Sequence, residues 1–158
     1  MMNEKGVYEK LKELGLVLPS APKGLETFQL VQPMTDDLLY LSGLGPAISG
    51  QDELSGKLGA ELDMAQGQRA ARCTVLNALA LLHEYLGDLN RITGFVKLLV
   101  FVASDPAFYE QPLVANGASQ LLLDVFGENV GKSARSAIGV TVLPANIPVE
   151  IEMIVRYR

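Results

Sequence analysis

The chain has 158 residues, 49% of them hydrophobic and 20% charged, with a formal net charge of −5. That length supports one domain with a core of its own, and that composition belongs to a folded globular chain rather than a disordered one. Its basic residues are scattered and form no run, which disfavours nucleic acid as a main partner because phosphate binding needs clustered positive charge.

The N terminus, MMNEKGVYEK, carries no apolar signal core, and no apolar run approaches the ~20 residues of a membrane span. A cytoplasmic location is expected. From Asn3 to about Leu14, Val7, Leu11 and Leu14 recur at helical spacing, and Gly15 and Pro19 stop the pattern. Phe28–Val31 and Leu38–Leu41 read as short strands of a hairpin turning at Met34–Asp37. Ser42–Gly59 holds five glycines and Pro46 and reads as a loop, with a short strand at Lys57–Leu58.

Asp63–Leu86 is the strongest predicted helix. Ala71, Val75, Leu79, Leu82 and Leu86 mark its apolar face, Asp63 is a candidate N-cap and Gly87 a stop. Arg69 and Arg72 fit a solvated face. Cys73 fits a small buried hydrophobe, and His83 a packed or solvated helix residue. With one Cys and one His in the chain there is no internal disulfide and no Cys/His metal-ligand spacing. Ile92–Ala103, ITGFVKLLVFVA, has almost no polar alternation and reads as a central strand buried on both faces. A second long helix is predicted from about Leu113 to Val125, ended at Gly127.

The last 28 residues, GKSARSAIGVTVLPANIPVEIEMIVRYR, read as two strands joined by a Pro-bounded turn. In the first, Arg135 shares a face with Ala137, Gly139 and Thr141, while Ser136, Ile138, Val140 and Val142 form the other. Small neighbours leave room beside the guanidinium, as a carboxylate receptor would need. In the second, Val149, Ile151, Met153 and Val155 form an apolar face opposite Glu150 and Glu152. Two long helices can cover only one face of the sheet, so another copy of the chain is expected to cover the other. Taken alone, Arg135 equally fits an interface ion pair and Glu150 and Glu152 fit structural ion-pair partners. Ser42 fits a turn residue and Asn116 a helix-start cap.

The segment ARSAIGVTVLPANIPVEIEMIV resembles the C-terminal signature of the YjgF/RidA family, the reactive intermediate deaminases formerly labelled endoribonuclease L-PSP. In that pattern an arginine and a small residue open a strand, Leu-Pro follows, and a Glu stands fifteen residues after the arginine. Here these are Arg135, Leu143-Pro144 and Glu150. LLYLSGLGP (Leu38–Pro46) resembles the family's Ser-Gly strand, and GDLNRITGFVKLLVFV also fits. The N-terminal LGLVLP, Gly56–Gly59, AARCTVLNALA and VANGASQLLLDVFG point to a longer, chorismate-mutase-like subgroup.

The resemblance covers nearly the whole chain, residues 1–158 as one domain with 1–20 as a helical extension. It implies an α+β fold like Bacillus chorismate mutase: a mixed sheet, two long helices on one face, and a homotrimer with clefts between subunits. It implies hydrolysis of small 2-imino or enamino acids to 2-oxo acids and ammonia without metal or cofactor. Arg135 would hold the carboxylate and Glu150 would activate water. Ser42, Gly43 and Asn116 would line the pocket, Asn116 from the neighbouring subunit. Ala137 stands where relatives carry Cys or Thr, and Phe28 is the nearest counterpart of a Tyr, which implies a more apolar pocket. The alternative is a non-catalytic homotrimer binding small carboxylates at the same clefts. Ribonuclease and chorismate mutase activities fit less well, because the chain is acidic and shows one suitable arginine where a dicarboxylate reaction needs several cations.

Overall fold

The computed structural model describes residues 6–48, 51 and 53–158. The first helix, α1 (Val7–Glu13), buries Val7 and Leu11. Asn3–Lys5, where this helix was expected to begin, lie outside the described residues. Asn90 Oδ1 accepts the Val7 backbone N–H at 3.1 Å, satisfying a donor that a helix start leaves free.

Five strands form one sheet: β1 (Val31–Thr35), β2 (Leu38–Leu44), β3 (Ile92–Ala103), β4 (Ala134–Val140) and β5 (Val149–Tyr157). Their spatial order is β1-β2-β5-β3-β4. The pairings are antiparallel except β3 with β4, which run parallel and are joined through a helical crossover. The expected Phe28–Val31 strand is displaced. Phe28 precedes the sheet, and β1 starts at Val31 and runs through Pro33. Because β1 is an edge strand, the missing Pro33 N–H costs no ladder bond between strands. The turn falls at Asp36–Asp37, with Thr35 Oγ1 donating to Asp37 Oδ1 at 2.8 Å. Leu58 makes only isolated bridges, to Leu62 and Ser104, where a short strand was expected.

Helix α2 (Met64–Leu86) begins in a reciprocal capping box. The Gln66 N–H donates to Asp63 Oδ1 at 2.8 Å, and the Asp63 N–H donates to Gln66 Oε1 at 2.9 Å. Gly87, at φ 77°, closes it in the left-handed conformation. Helix α3 (Gln111–Gly131) starts two residues earlier than the apolar pattern marks, with Pro112 in its first turn. Gly127 breaks it at φ 73° and ψ 175°, and the chain resumes one further turn to Gly131.

Both long helices lie on one side of the sheet, over Leu98, Val100, Val102, Val149, Ile151, Met153 and Val155, all fully or almost fully buried. They cross closely at Gly117. A Cβ there would collide with the Gln68 backbone carbonyl, and Gln68 Nε2 donates to Leu113 O at 2.9 Å. The other side has no cover among the described residues. Leu99 and Phe101 are half-buried, Tyr40 and Ile138 exposed. Among the described residues β3 is thus buried on its helix face alone, and none of them supplies the expected second cover.

Candidate functional site

Register places the candidate residues on two faces. Arg135 pairs with Leu98, and Leu98 pairs with Met153, so all three share the helix face. Glu150 pairs with Phe101, and Phe101 with Ile138, and this row points away from the helices. Arg135 and Glu150 therefore cannot converge within one chain.

Around Arg135, the room left by small neighbours is filled by α3. Arg135 Nη1 donates to Asn116 Oδ1 and Ser119 Oγ, each at 3.0 Å, and Nη2 donates to the Pro112 carbonyl at 3.2 Å. All three acceptors are neutral, and among the described residues no carboxylate pairs with this guanidinium. Three of its five N–H donors are committed, which leaves Nε–H and one Nη2–H. Asn116 contacts the Arg135 of its own chain. Ala137 is half-buried one pleat further along. Beyond it, a Cβ on Gly139 would stand 2.7 Å from Gln111 Nε2 and 2.9 Å from Ser104 Oγ. The small residues of β4 thus admit α3 to the sheet edge. Ser119 was not singled out from sequence, although Asn116 and Ser119 stand at i, i+3 on one helix face.

The second cluster forms on β2 and β5. Pairing slips between Leu41 and Leu44, so Ser42 and Gly43 occupy an irregular stretch of β2. The Glu150 carboxylate lies against Gly43, in space that any side chain at position 43 would fill. Ser42 Oγ is buried and has no hydrogen-bond partner among the described residues. Burial raises the Glu150 pKa above the ordinary carboxylate value, and the negative charge of Glu152 raises it further. Tyr40 OH donates to Glu152 Oε2 at 2.8 Å, and the bond to this carboxylate, with some desolvation, raises the tyrosine's own pKa. The structure brings Ser42, Gly43 and Glu150 together.

Phe28 lies across the sheet from Arg135 but close along the chain to the second cluster, since the Leu30 carbonyl, two residues on, accepts the Ser42 N–H at 3.0 Å. It lines an open groove with Leu25, Leu81, Glu84 and Tyr85, beside edge strand β1. Arg135 lies on the opposite edge strand, four strand spacings or roughly 19 Å away. His83 serves structure. Its Nδ1 meets Tyr8 OH at 2.8 Å, and that oxygen also accepts the Leu89 N–H at 2.9 Å, tying α1 to the end of α2. Cys73 is half-buried, and burial raises its thiol pKa. Among the described residues no group of three or more His, Cys, Asp or Glu could hold a metal ion, and no helix is long and apolar enough to cross a membrane.

Comparison with known proteins agrees with this architecture. Residues 9–155 match the family described as "YjgF/chorismate_mutase-like, putative endoribonuclease". The chain is 42% identical over 157 residues to protein TCP17 of Trypanosoma cruzi, covering 94% of this chain and 92% of that one. The crystal structure of Atu1372 of Agrobacterium tumefaciens, a protein of unknown function, superposes with a TM-score of 0.88 at 42% identity, over 96% of this chain and 92% of that chain. A "putative endoribonuclease" from Shewanella oneidensis MR-1 superposes with a TM-score of 0.89 at 29% identity, over 96% and 99% of the two chains. The chain belongs to the YjgF/chorismate-mutase-like family.

Proposed function

We propose that this protein binds small 2-imino or enamino acids in clefts between copies of the chain and hydrolyses them to 2-oxo acids and ammonia. The observation that carries this reading is the state of Arg135: a half-buried guanidinium held by neutral acceptors, with no carboxylate partner among the described residues and two N–H donors they leave over. Such a cation is electrostatically complementary to a carboxylate, and its rigid support lowers the cost of orienting one.

The reaction asks little more of the protein. An enamine takes a proton on carbon to become the iminium, which is already electrophilic. Water adds to the iminium carbon as a carboxylate accepts its proton. Proton return to nitrogen then allows the C–N bond of the carbinolamine to break, leaving the 2-oxo acid and ammonia. Glu150 suits the proton-accepting role, since a raised pKa brings a carboxylate closer to the working pH of a general base. Ser42 Oγ, buried next in the chain to Gly43 and without a partner among the described residues, suits a hydrogen bond to that water or to the imine nitrogen.

Because Arg135 and Glu150 leave opposite faces of the sheet, one cleft holding both draws them from different copies. A homotrimer satisfies this requirement and covers the bare face around Leu99, Phe101 and Ile138. Arg135, Asn116 and Ala137 then belong to one wall, and Ser42, Gly43 and Glu150 to the other.

A non-catalytic homotrimer that binds small carboxylates is favoured by a different observation. Ala137 supplies neither hydroxyl nor thiol, and Phe28 carries no hydroxyl. The test follows hydrolysis of an enamine generated in situ by a serine or threonine dehydratase, as 2-oxo acid release against semicarbazide trapping. Acceleration by wild type that disappears in Arg135→Ala supports the deaminase. Arg135-dependent binding of 2-oxo acids without acceleration transfers the assignment to the binding module. Neither binding nor acceleration rejects both.

A further inference from the structure

We infer that Ser119 is the positioning residue that sets the orientation of Arg135 for its ligand, and that α3 acts as the frame transmitting this setting from its crossing with α2. The inference rests on the carboxylate-binding reading above and names a residue that the family pattern in this sequence did not mark.

A serine inside a helix commonly turns its hydroxyl back to the carbonyl one turn earlier. Ser119 Oγ instead accepts from Arg135 Nη1 at 3.0 Å. With Asn116 Oδ1 taking the other Nη1 hydrogen at 3.0 Å, and the Pro112 carbonyl holding Nη2 at 3.2 Å, the guanidinium is fixed at both of its terminal nitrogens. A planar fork held in this way cannot rotate about its last bonds, so the remaining Nε–H and Nη2–H keep one direction. Ser119 is the more sheltered of the two side-chain acceptors, because Asn116 is exposed and Ser119 half-buried. It is therefore the acceptor that solvent replaces least well.

The frame is equally specific. Pro112, Asn116 and Ser119 occupy successive turns of α3, and Gly117 between them rests on the Gln68 backbone of α2. The Leu113 carbonyl accepts from Gln68 Nε2, fixing the same stretch along its axis. The height of Arg135 over the sheet edge is thus set by the close contact of α3 with α2.

The test titrates full-length assembled protein with 2-oxobutanoate by calorimetry, and measures imine hydrolysis on the same samples. Alanine is a better helix former than serine, so Ser119→Ala should fold with unchanged assembly and ligand-free melting. Its Kd and KM should rise about tenfold, the loss of one hydrogen bond to a charged group, while kcat falls little. Ser119→Thr, which keeps the hydroxyl, should restore both constants. Wild-type binding with an unchanged Kd in Ser119→Ala overturns the inference and leaves the functional reading standing, as does a loss that threonine fails to rescue. Absence of 2-oxobutanoate binding by wild type overturns the functional reading, and this inference with it.

Discussion

Arg135 and Glu150 project from opposite faces of one sheet, Arg135 in the row of Leu98 and Met153 under α3, and Glu150 in the row of Phe101 and Ile138 on the bare side. The sequence separation of fifteen residues places them on strands with β3 between, and pleat parity then sends them apart. A ligand touching both must lie between two copies of the chain. Under the proposed function, the bare face and a site divided between copies would both be met by self-association.

Breaking the bare face should break that association. Ile138 is 44% exposed in the isolated chain, on the row that contains Phe101. Wild type is expected to sediment as a trimer, and Ile138→Lys as a monomer, since a lysine ammonium buried without a partner costs more than the apolar contact it replaces gains. Monomeric wild type at micromolar concentration would contradict this. Imine hydrolysis should be lost together with the assembly.

Glu150 should leave a signature in both stability and rate. Its pKa is raised in the fold, first by burial and then by Glu152. Between the ordinary glutamate value of 4.5 and the raised folded value, the native state binds more protons than the unfolded state, so this group's contribution to stability falls as pH rises through that window. Glu150→Gln removes this slope, and its stability relative to wild type should improve as pH rises through the window in urea titrations. The acid limb of the hydrolysis profile should report the same group. Removing the neighbouring charge with Glu152→Gln should move that limb to lower pH.

Gly117→Ala tests the frame at the helix crossing. Its methyl would meet the Gln68 carbonyl, so α3 must shift or the crossing open, at a cost of about 1–3 kcal/mol. Denaturant midpoints should fall accordingly, and 2-oxobutanoate affinity should fall with them even though residue 117 contacts no part of the guanidinium. A stability loss with affinity unchanged would separate the frame from the site.

Much of the fold was legible where a local signal was strong and redundant. Asp63 and Gln66 form the capping box and Gly87 the stop that the sequence displays, so α2 lies where the apolar periodicity marks it. β3 coincides with the unbroken run Ile92–Ala103. β1 was misplaced toward Phe28 because Pro33 argues against a strand, and only an edge position, a tertiary fact, tolerates it. α3 begins at Gln111 because proline is at home in a first turn, a signal the apolar pattern outweighed. For the site, alternation gave the residues that share a strand face with Arg135 and those that oppose Glu150. It did not give what fills the space beside Arg135, since Pro112, Asn116 and Ser119 arrive on a helix whose docking depends on Gly117 and Gln68 far along the chain.

The division of the site between copies is tested most directly by complementation. Arg135→Ala and Glu150→Gln chains, each inactive alone, would be co-expressed with different tags, and the mixed assemblies isolated by tandem purification and assayed for imine hydrolysis. A cleft built from Arg135 of one copy and Glu150 of the next regains an intact site in such a mixture, so activity should reappear. Mixed assemblies as inactive as their parents, at a composition verified by mass, would show that Arg135 and Glu150 do not meet across an interface.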